Sequence, residues 1–209
     1  MMILDAKPNA AHLKLAELER AGKLTAVVTQ NIDGLHQLAG SKRVYELHGS
    51  IHRNYCMNCG KFYDAQYVKK SEGVPKCSCG GVVKPDVVLY EEGLDEETIR
   101  GAVEAIASAD MLLIGGTSLV VYPAAGFIDY FRGSRLAVIN KSETAKNIRS
   151  ELTISAPIGE ILSRIKCDQS DSHRPDAPHG RTSPESVTGS PISCDSTWPF
   201  RGFSSVEII

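Results

Sequence analysis

Four cysteines crowd into a stretch of 24 residues, and this cluster constrains the fold more than any other feature of the sequence. They form two close pairs, Cys56-x-x-Cys59 and Cys77-x-Cys79, each flanked by glycine. Zinc prefers four ligands in a tetrahedron, and each pair can supply two thiolates from one tight turn. Because four cysteine ligands leave no open coordination position, we predict one structural zinc ion and no catalytic metal. Free or redox-active thiols are the alternative.

Cysteine usage and composition also limit the class of protein. A secreted disulfide scaffold would spread its cysteines more evenly through a shorter chain. The N-terminus lacks the pattern of a secretory signal, and no apolar run reaches the roughly 18 residues needed to span a bilayer. The formal net charge of −2 gives no reason to expect a nucleic acid or an anionic membrane as partner. We expect a cytoplasmic protein and a monomer.

Strands alternate with helices along residues 9–165. This alternation predicts an α/β fold with a mostly parallel sheet, in which ligands bind at the carboxyl ends of the strands. The cysteine-rich stretch 54–82 has little apolar periodicity and interrupts the pattern as an inserted zinc-binding module. The predicted helices are 9–22, 96–108, 123–132 and 158–165, and the predicted strands are 24–28, 44–47, 87–90, 111–114 and 136–139.

The last part of the chain differs in composition. Residues 167–209 contain nine serines, five prolines and no lysine, whereas residues 1–166 contain twelve lysines. Such a composition is typical of disorder, or of a segment foreign to the domain. The predicted organisation is a Rossmann-like domain of residues 1–53 and 83–166, the zinc-binding module, and a disordered tail of residues 167–209.

Two polar segments follow predicted strands and are candidate sites. The stretch 29–36, TQNIDGLH, places amides and a carboxylate where they can bind ribose hydroxyls and a nicotinamide, although Asp33-Gly34 can also be an ordinary turn. His48 lies between a strand and Gly49-Ser50. Histidine is a common general base, although a lone histidine is more often structural. We expect a structural role for His12, His36 and His52 and solvent exposure for His173 and His179.

The motifs taken together are more specific than any one of them. In order along the chain they resemble the sirtuin family, whose members remove acyl groups from lysine side chains and consume NAD. The resemblance covers about residues 8–165. The motifs that carry it are TQNIDGLH, HGS, the two cysteine pairs, KPDVVLYEE, GGTSLVVYPA and VIN.

This resemblance implies a Rossmann-like domain and a smaller zinc domain, with NAD and acyl-lysine between them. His48 would be the general base on the ribose hydroxyl. The residues implied to bind NAD are Gln30, Asn31, Ile32, Asp33, Gly116, Thr117, Ser118, Asn140 and Ile158. Those implied to line the acyl-lysine tunnel and pair with the substrate backbone are Val88, Leu89 and Tyr90, a form of β-augmentation.

The sequence departs from the family at the phosphate-binding loop. No Gly-x-Gly occurs in the chain, and the family's Gly-Ala-Gly-Ile-Ser loop and its preceding strand are missing, as in a truncated member. We therefore expect weak NAD binding, low activity and unpaired edges at the centre of the sheet. Ala156 also replaces an expected polar residue. The alternatives are an impaired fragment acting as a zinc-containing protein-binding module, and a protein ADP-ribosyltransferase.

Overall fold

The computed structural model describes residues 4–117, 124–141, 150–166 and 205–208. Within them the chain forms one six-stranded sheet and one three-stranded sheet. The larger sheet is parallel throughout, with strand order β2-β1-β9-β6-β7-β8. This arrangement confirms the predicted α/β fold. The strands are β1 (Leu24–Thr29), β2 (Val44–Glu46), β6 (Met111–Gly115), β7 (Arg135–Asn140), β8 (Leu152–Ser155) and β9 (Ser205–Ile208).

Both faces of the large sheet are covered, so its inner strands are apolar runs rather than alternating sequences. In β1, Ala26 and Val28 point to one side and Val27 to the other, and all three are fully buried. The helices on the two faces are α1 (Ala10–Arg20), α2 (Leu35–Ala39), α4 (Glu96–Ser108) and α5 (Ile158–Ser163), with a 3₁₀ helix at Ala124–Tyr130.

Helix α1 begins where its sequence predicts. The Asn9 side chain accepts hydrogen bonds from the backbone N–H groups of Ala11 and His12 at 2.9 and 3.2 Å. This cap satisfies two of the donors that a helix start leaves free. The helix then packs its buried face on β1 and α5.

The smaller sheet is antiparallel and has the order β4-β3-β5. The segment that forms this sheet extends beyond both ends of the predicted module 54–82, because β3 begins at Gly49 and β5 ends at Val87. Its buried core is Cys56, Cys77 and Val83, which is too small to fold unaided. The elements are β3 (Gly49–Cys56), β4 (Phe62–Tyr63), α3 (Ala65–Lys70) and β5 (Val83–Val87).

Three features differ from the predictions. The strand predicted at 87–90 is wrong, because β5 ends at Val87 and the chain then turns, with Glu92 N–H donating to the Leu89 carbonyl. The helix predicted at 123–132 is a 3₁₀ helix from Ala124 to Tyr130, and Pro123 lies outside the described residues. The centre of the sheet, where we expected unpaired edges, is occupied by β9 between β1 and β6. Residues 167–204 lie outside the described residues.

None of the helices in the described part of the chain combines the length and apolar character needed to cross a bilayer.

Candidate functional site

The carboxyl edge of the large sheet brings TQNIDGLH and HGS together. Strands β1 and β2 run parallel, so the segments that follow them emerge side by side. Leu47 N–H donates to the Thr29 carbonyl at 2.8 Å, and Asn31 N–H donates to the Thr29 hydroxyl at 3.0 Å. These bonds hold the backbone of residues 29–31 against the residue that precedes His48.

His48 is half-buried at this edge, and its ring is oriented by the other segment. The ring atom Nδ1 lies 3.1 Å from the carbonyl oxygen of Gln30. A carbonyl can only accept, so this contact favours the tautomer in which Nδ1 carries the proton. Nε2 is then left with a free lone pair and can take a proton from a bound substrate.

The loop between β1 and α2 is held at three points around Asp33. The Asp33 carboxylate accepts from Leu35 N–H at 3.0 Å, and its carbonyl lies 2.8 Å from His52 Nε2. The carbonyl of Ile32 accepts from Ile51 N–H at 3.0 Å. Strand β3 thus holds Ile32 and Asp33 through Ile51 and His52, and the contact of Gln30 with His48 joins the same loop to the segment after β2.

Gly49, next to His48, has no room for a side chain. Its φ is 76°, and a Cβ atom there would lie 1.9 Å from the Asp86 carbonyl oxygen on β5. We expect Gly49→Ala to lower the free energy of unfolding by about 2–4 kcal/mol, through left-handed strain and backbone displacement. The displaced β3 would also carry His48 out of position.

Gly22→Ala is the matched control for that measurement. Gly22 has a φ of 67°, but nothing lies within 4 Å of a Cβ atom built there. Only the backbone strain remains, so we expect a loss of about 1–2 kcal/mol in urea unfolding. Equal losses for the two variants would contradict a steric role for Gly49.

A second group of predicted site residues lies at the same edge, after β6 and β7. Asn140 donates from its side-chain amide to the Thr117 carbonyl at 2.8 Å, and Gly116 has a φ of 64°. Ile158 packs so closely on Gly115 that a Cβ there would lie 2.1 Å from its Cδ1 atom. One strand separates β1 from β6, so the two groups lie roughly 10 Å apart. Ser118 lies outside the described residues.

The segment after β5 presents apolar side chains to solvent beside His48. Val88 N–H donates to the His48 carbonyl at 3.1 Å. Leu89 is 53% exposed and Tyr90 is fully exposed. Neighbouring exposed apolar side chains of this size mark a surface that binds a partner. The three residues predicted to contact the acylated substrate are thus adjacent to the predicted base, although they do not form a strand.

The four clustered cysteines converge as their spacing predicts. Their Sγ atoms lie within 4.8 Å of one another, with separations of 3.5–3.6 Å for Cys56–Cys79, Cys59–Cys77 and Cys59–Cys79. A tetrahedron of thiolates about 2.3 Å from zinc has edges of about 3.8 Å. A backbone turn forms each knuckle: Gly60 N–H donates to the Cys56 carbonyl four residues earlier, and Gly80 N–H donates to the Cys77 carbonyl three residues earlier.

The thiols of this cluster do not share an ordinary pKa. The backbone N–H of Cys79 and the Tyr63 hydroxyl lower the pKa of Cys77 to about 5. The Gly81 N–H favours the Cys79 thiolate, but the neighbouring cysteine sulfurs outweigh it and raise its pKa to about 12. Four adjacent sulfurs therefore cannot all ionise without a cation. This donor set fits one structural Zn²⁺, which would be held by all four thiolates.

A cavity of about 330 Å³, lined mainly by apolar surface with a few charged side chains, adjoins the loop of Asp33 and was not predicted from the sequence. Its lining includes His52 and Arg53 of β3 and Glu46 of β2. Arg53 bonds to Glu46 at 2.8 Å and to Asp86 at 2.7 Å. Burial works against the Arg53 charge, but these hydrogen bonds outweigh it and raise its pKa. Because three separate segments build this cavity, no local motif reveals it.

His12 and His36 form a buried pair behind the site, in agreement with the structural role expected for them. Their ring centroids are 4.5 Å apart, and His36 is 1% exposed. Neither ring nitrogen of His36 has a hydrogen-bond partner among the described residues. Burial and the neighbouring His12 lower the pKa of His36 to about 4, against the opposing effect of the Asp33 carboxylate. His36 is therefore neutral at pH 7.

This depressed pKa predicts a loss of stability in acid. Above the unfolded pKa of 6.5, His36 is neutral in both the folded and the unfolded chain, so its protonation does not change the free energy of unfolding. As the pH falls from 6.5 towards 4, only the unfolded chain binds the proton. We expect His36 alone to lower the free energy of unfolding by about 3 kcal/mol between pH 7 and pH 4. In urea titrations across this range, His36→Leu should show a correspondingly shallower pH dependence, and an unchanged slope would refute the assignment.

Comparisons with known proteins agree with this geometry. The Sir2 family model matches residues 1–123. A protein of Clostridium acetobutylicum named NAD-dependent protein deacetylase is 65% identical over 167 residues, which cover 79% of this chain and 68% of that protein. A protein of the same name from Clostridium perfringens is 61% identical over 163 residues, covering 77% of this chain and 67% of that protein.

Solved structures give the same result. A structure described as "Sir2-p53 peptide-NAD+" matches with a TM-score of 0.72 and 41% identity, covering 77% of this chain and 70% of that chain. A Sir2 structure bound to a propionylated peptide matches with the same TM-score, identity and coverage. The chain therefore belongs to the Sir2, or sirtuin, family, as its ordered motifs predict.

Proposed function

We propose that this chain removes acyl groups from lysine side chains of proteins, using NAD as co-substrate and His48 as general base. The observation that supports this most strongly is the pairing of His48 with Gln30 at the carboxyl edge of a parallel sheet. The predicted cofactor-binding groups and the exposed Leu89 and Tyr90 lie around that pair. Relatives named NAD-dependent protein deacetylase carry the same family signature.

An acylated lysine suits the surface beside His48. Acylation removes the lysine charge, so the side chain becomes an apolar stem with one amide at its end. Leu89 and Tyr90 offer exposed apolar area to that stem. Residues 88–90 follow β5 directly, and an extended peptide that paired with them would replace the bonds that the Leu89 backbone makes with Glu92. A free, charged lysine would have to lose its solvation to contact these apolar side chains.

The two groups at the sheet edge suit opposite ends of a dinucleotide. Asn31 and Asp33 provide amide and carboxylate groups for a ribose and a nicotinamide, with Ile32 beside the ring. Asn140 and Thr117 would bind the adenosine ribose, and Gly116 lets the backbone approach. The roughly 10 Å between β1 and β6 is compatible with one extended ligand.

His48 would act on the ribose hydroxyl. Bound NAD would supply a ribose carbon that the acyl oxygen of the substrate attacks as the bond to nicotinamide breaks. With Nδ1–H donating to Gln30, His48 Nε2 accepts the hydroxyl proton and makes that oxygen a better nucleophile towards the acyl carbon. The structural zinc would take no part in this chemistry. The proposed setting is the cytoplasm, with acylated proteins as partners and neither nucleic acid nor membrane involved.

The proposal is tested by measuring nicotinamide release from NAD by the zinc-loaded chain. We expect release that requires an acetyl-lysine peptide and depends on the concentration of NAD. A peptide with unmodified lysine is the control and should give no release. Labelled NAD in the same reaction separates the alternatives, because transfer of label to protein would identify an ADP-ribosyltransferase and overturn the deacylase proposal. Release that is independent of the peptide would also overturn it.

A further inference from the structure

Strand β3 contains a long bulge, residues 51–53. Ser50 pairs with Asp86 on β5 and Asn54 pairs with Pro85, so a single step along β5 lies opposite four steps along β3. Bulges re-aim the side chains that they contain and are common beside active sites. The β3 bulge therefore directs three consecutive residues away from the regular ladder.

Each residue of the β3 bulge bonds to a segment of the candidate site. Ile51 N–H donates to the Ile32 carbonyl at 3.0 Å, and His52 Nε2 lies 2.8 Å from the Asp33 carbonyl oxygen. These two contacts hold the loop that follows β1. Arg53 differs from its neighbours, because it bonds through its side chain to both β2 and β5.

Arg53 contacts one carboxylate on each side of His48. Its Nη1 donates to Glu46 Oε2 at 2.8 Å, and its Nε donates to Asp86 Oδ2 at 2.7 Å. Glu46 lies two residues before His48. Asp86 lies two residues before Val88, and the Val88 N–H donates to the His48 carbonyl at 3.1 Å. One planar guanidinium thus connects β2, β3 and β5 around His48.

The two carboxylates differ in their surroundings. The Glu46 side chain is 7% exposed, whereas that of Asp86 is 47% exposed. An ion pair with an exposed carboxylate contributes little to stability, but a shielded carboxylate that loses its cation stays charged without water to solvate it. Without Arg53, we expect Glu46 to turn towards solvent, and the segment that carries His48 to move with it.

We propose that Arg53 is a positioning residue, which fixes His48 relative to the acyl-lysine surface of residues 88–90. This inference rests on the proposed function, because it takes His48 as the base and residues 88–90 as the substrate surface. Proton transfer needs atoms within hydrogen-bond reach, and a displacement of about 1 Å can lower a rate about 100-fold. A salt bridge with only a structural role would change stability and leave the rate per folded chain unchanged.

Substitution of Arg53 in the zinc-loaded full chain is the first test. With an acetyl-lysine peptide and NAD, we expect Arg53→Ala to lower kcat about 10–100-fold and to change KM for the peptide less than about threefold. Arg100→Ala is the matched control, because it removes an exposed ion pair with Glu97 on α4 and should retain the native rate. A native kcat in Arg53→Ala, or an equal loss in the control, would overturn the proposal.

Arg53→Lys separates position from charge. Lysine keeps the positive charge, but its single ammonium group lacks the planar fork that binds two carboxylates at once. We expect a urea unfolding midpoint close to that of the native chain, together with a loss of roughly tenfold in kcat. A native kcat in Arg53→Lys would show that charge alone is sufficient and would contradict the positioning role.

A double substitution shows whether Arg53 acts through His48. In a His48→Ala chain the base is already absent, so adding Arg53→Ala should change the residual rate of nicotinamide release less than about threefold. If the second substitution lowers that rate as much as it lowers the native rate, Arg53 acts independently of His48 and the proposal fails.

Amide exchange tests the same contacts without turnover. In Arg53→Ala the Val88 N–H should exchange roughly tenfold faster than in the native chain, whereas the amides of β7 should keep their native rates. Unchanged protection at Val88 would overturn the role of Arg53. Faster exchange at Val88, in a native chain that shows no deacylation, would instead overturn the proposed function and leave the link between the two segments supported.

Discussion

Cys77→Ser is expected to abolish stoichiometric zinc binding and to unfold the smaller sheet. Removal of groups that merely support a metal ligand costs about 10–100-fold in affinity, so loss of a ligand itself should cost more than roughly 100-fold. The cluster of Cys56, Cys77 and Val83 has few other contacts to replace the metal. Metal binding and folding of this module should therefore be lost together.

Zinc content per chain, measured with a chromogenic chelator, and amide exchange in β3 and β5 give the two readouts. We expect about one zinc per native chain and close to none in Cys77→Ser. Protection of β3 and β5 should fall, while that of β7 is retained. Cys194→Ser is the control, since this cysteine lies outside the cluster. Native zinc content in Cys77→Ser, or an equal loss in the control, would contradict a four-cysteine site.

His48→Ala is expected to reduce formation of deacylated peptide by about 10²–10⁴-fold, the usual contribution of a general base. Its apparent affinity for the acetyl-lysine peptide should change by less than about threefold, because the proposed substrate contacts come from Val88, Leu89 and Tyr90. The effect should therefore appear in kcat rather than in KM. Mass spectrometry of the peptide provides the measurement.

His173→Ala is the matched control for this substitution, since that histidine belongs to none of the motifs. It should retain native rates. A loss confined to KM in His48→Ala would assign His48 to substrate binding, and a native rate would remove it from the mechanism. Circular dichroism and zinc content of the variant should match those of the native chain, which separates a chemical effect from misfolding.

The cysteine site, and the location of residues 29–36 and His48 after strands at one edge of the sheet, could be predicted from the sequence, whereas the contact of His48 with Gln30 was not predicted. Two knuckles with adjacent glycines specify a tetrahedral site almost by themselves, and Gly60 and Gly80 have positive φ values as such turns require. The loops after β1 and β2 meet because adjacent parallel strands end at the same edge. Strand periodicity is sufficient to predict that meeting, even though 18 residues separate His48 from Gln30.

The strand predicted at 87–90 was wrong for a physical reason. Leu89 and Tyr90 are apolar, and the pattern of Val87–Tyr90 is typical of a buried strand, but both side chains face solvent. Their hydrophobicity suits a binding surface rather than the core. Apolar character alone does not distinguish these two uses. The correct strand, Val83–Val87, contains Lys84, Pro85 and Asp86 and has a weak local signal.

Strand β9 could not be predicted from local pattern at all. Ser205–Ile208 follow a serine- and proline-rich stretch, and four residues are too few to establish a period. Its position depends on the gap between β1 and β6, which is a property of the assembled sheet. The short α2 is similar, since Gly34 and Gly40 begin and end it within five residues and no apolar periodicity can develop.

The central claim is that the chain deacylates lysine with NAD as co-substrate. The most direct test is to identify the molecule to which the acyl group is transferred. The zinc-loaded chain is incubated with an acetyl-lysine peptide and millimolar NAD, and the products are analysed by mass spectrometry. The proposed chemistry at His48 predicts deacetylated peptide, nicotinamide and acetyl-ADP-ribose in equal amounts. Free acetate formed without consumption of NAD, as from simple hydrolysis, would contradict the account.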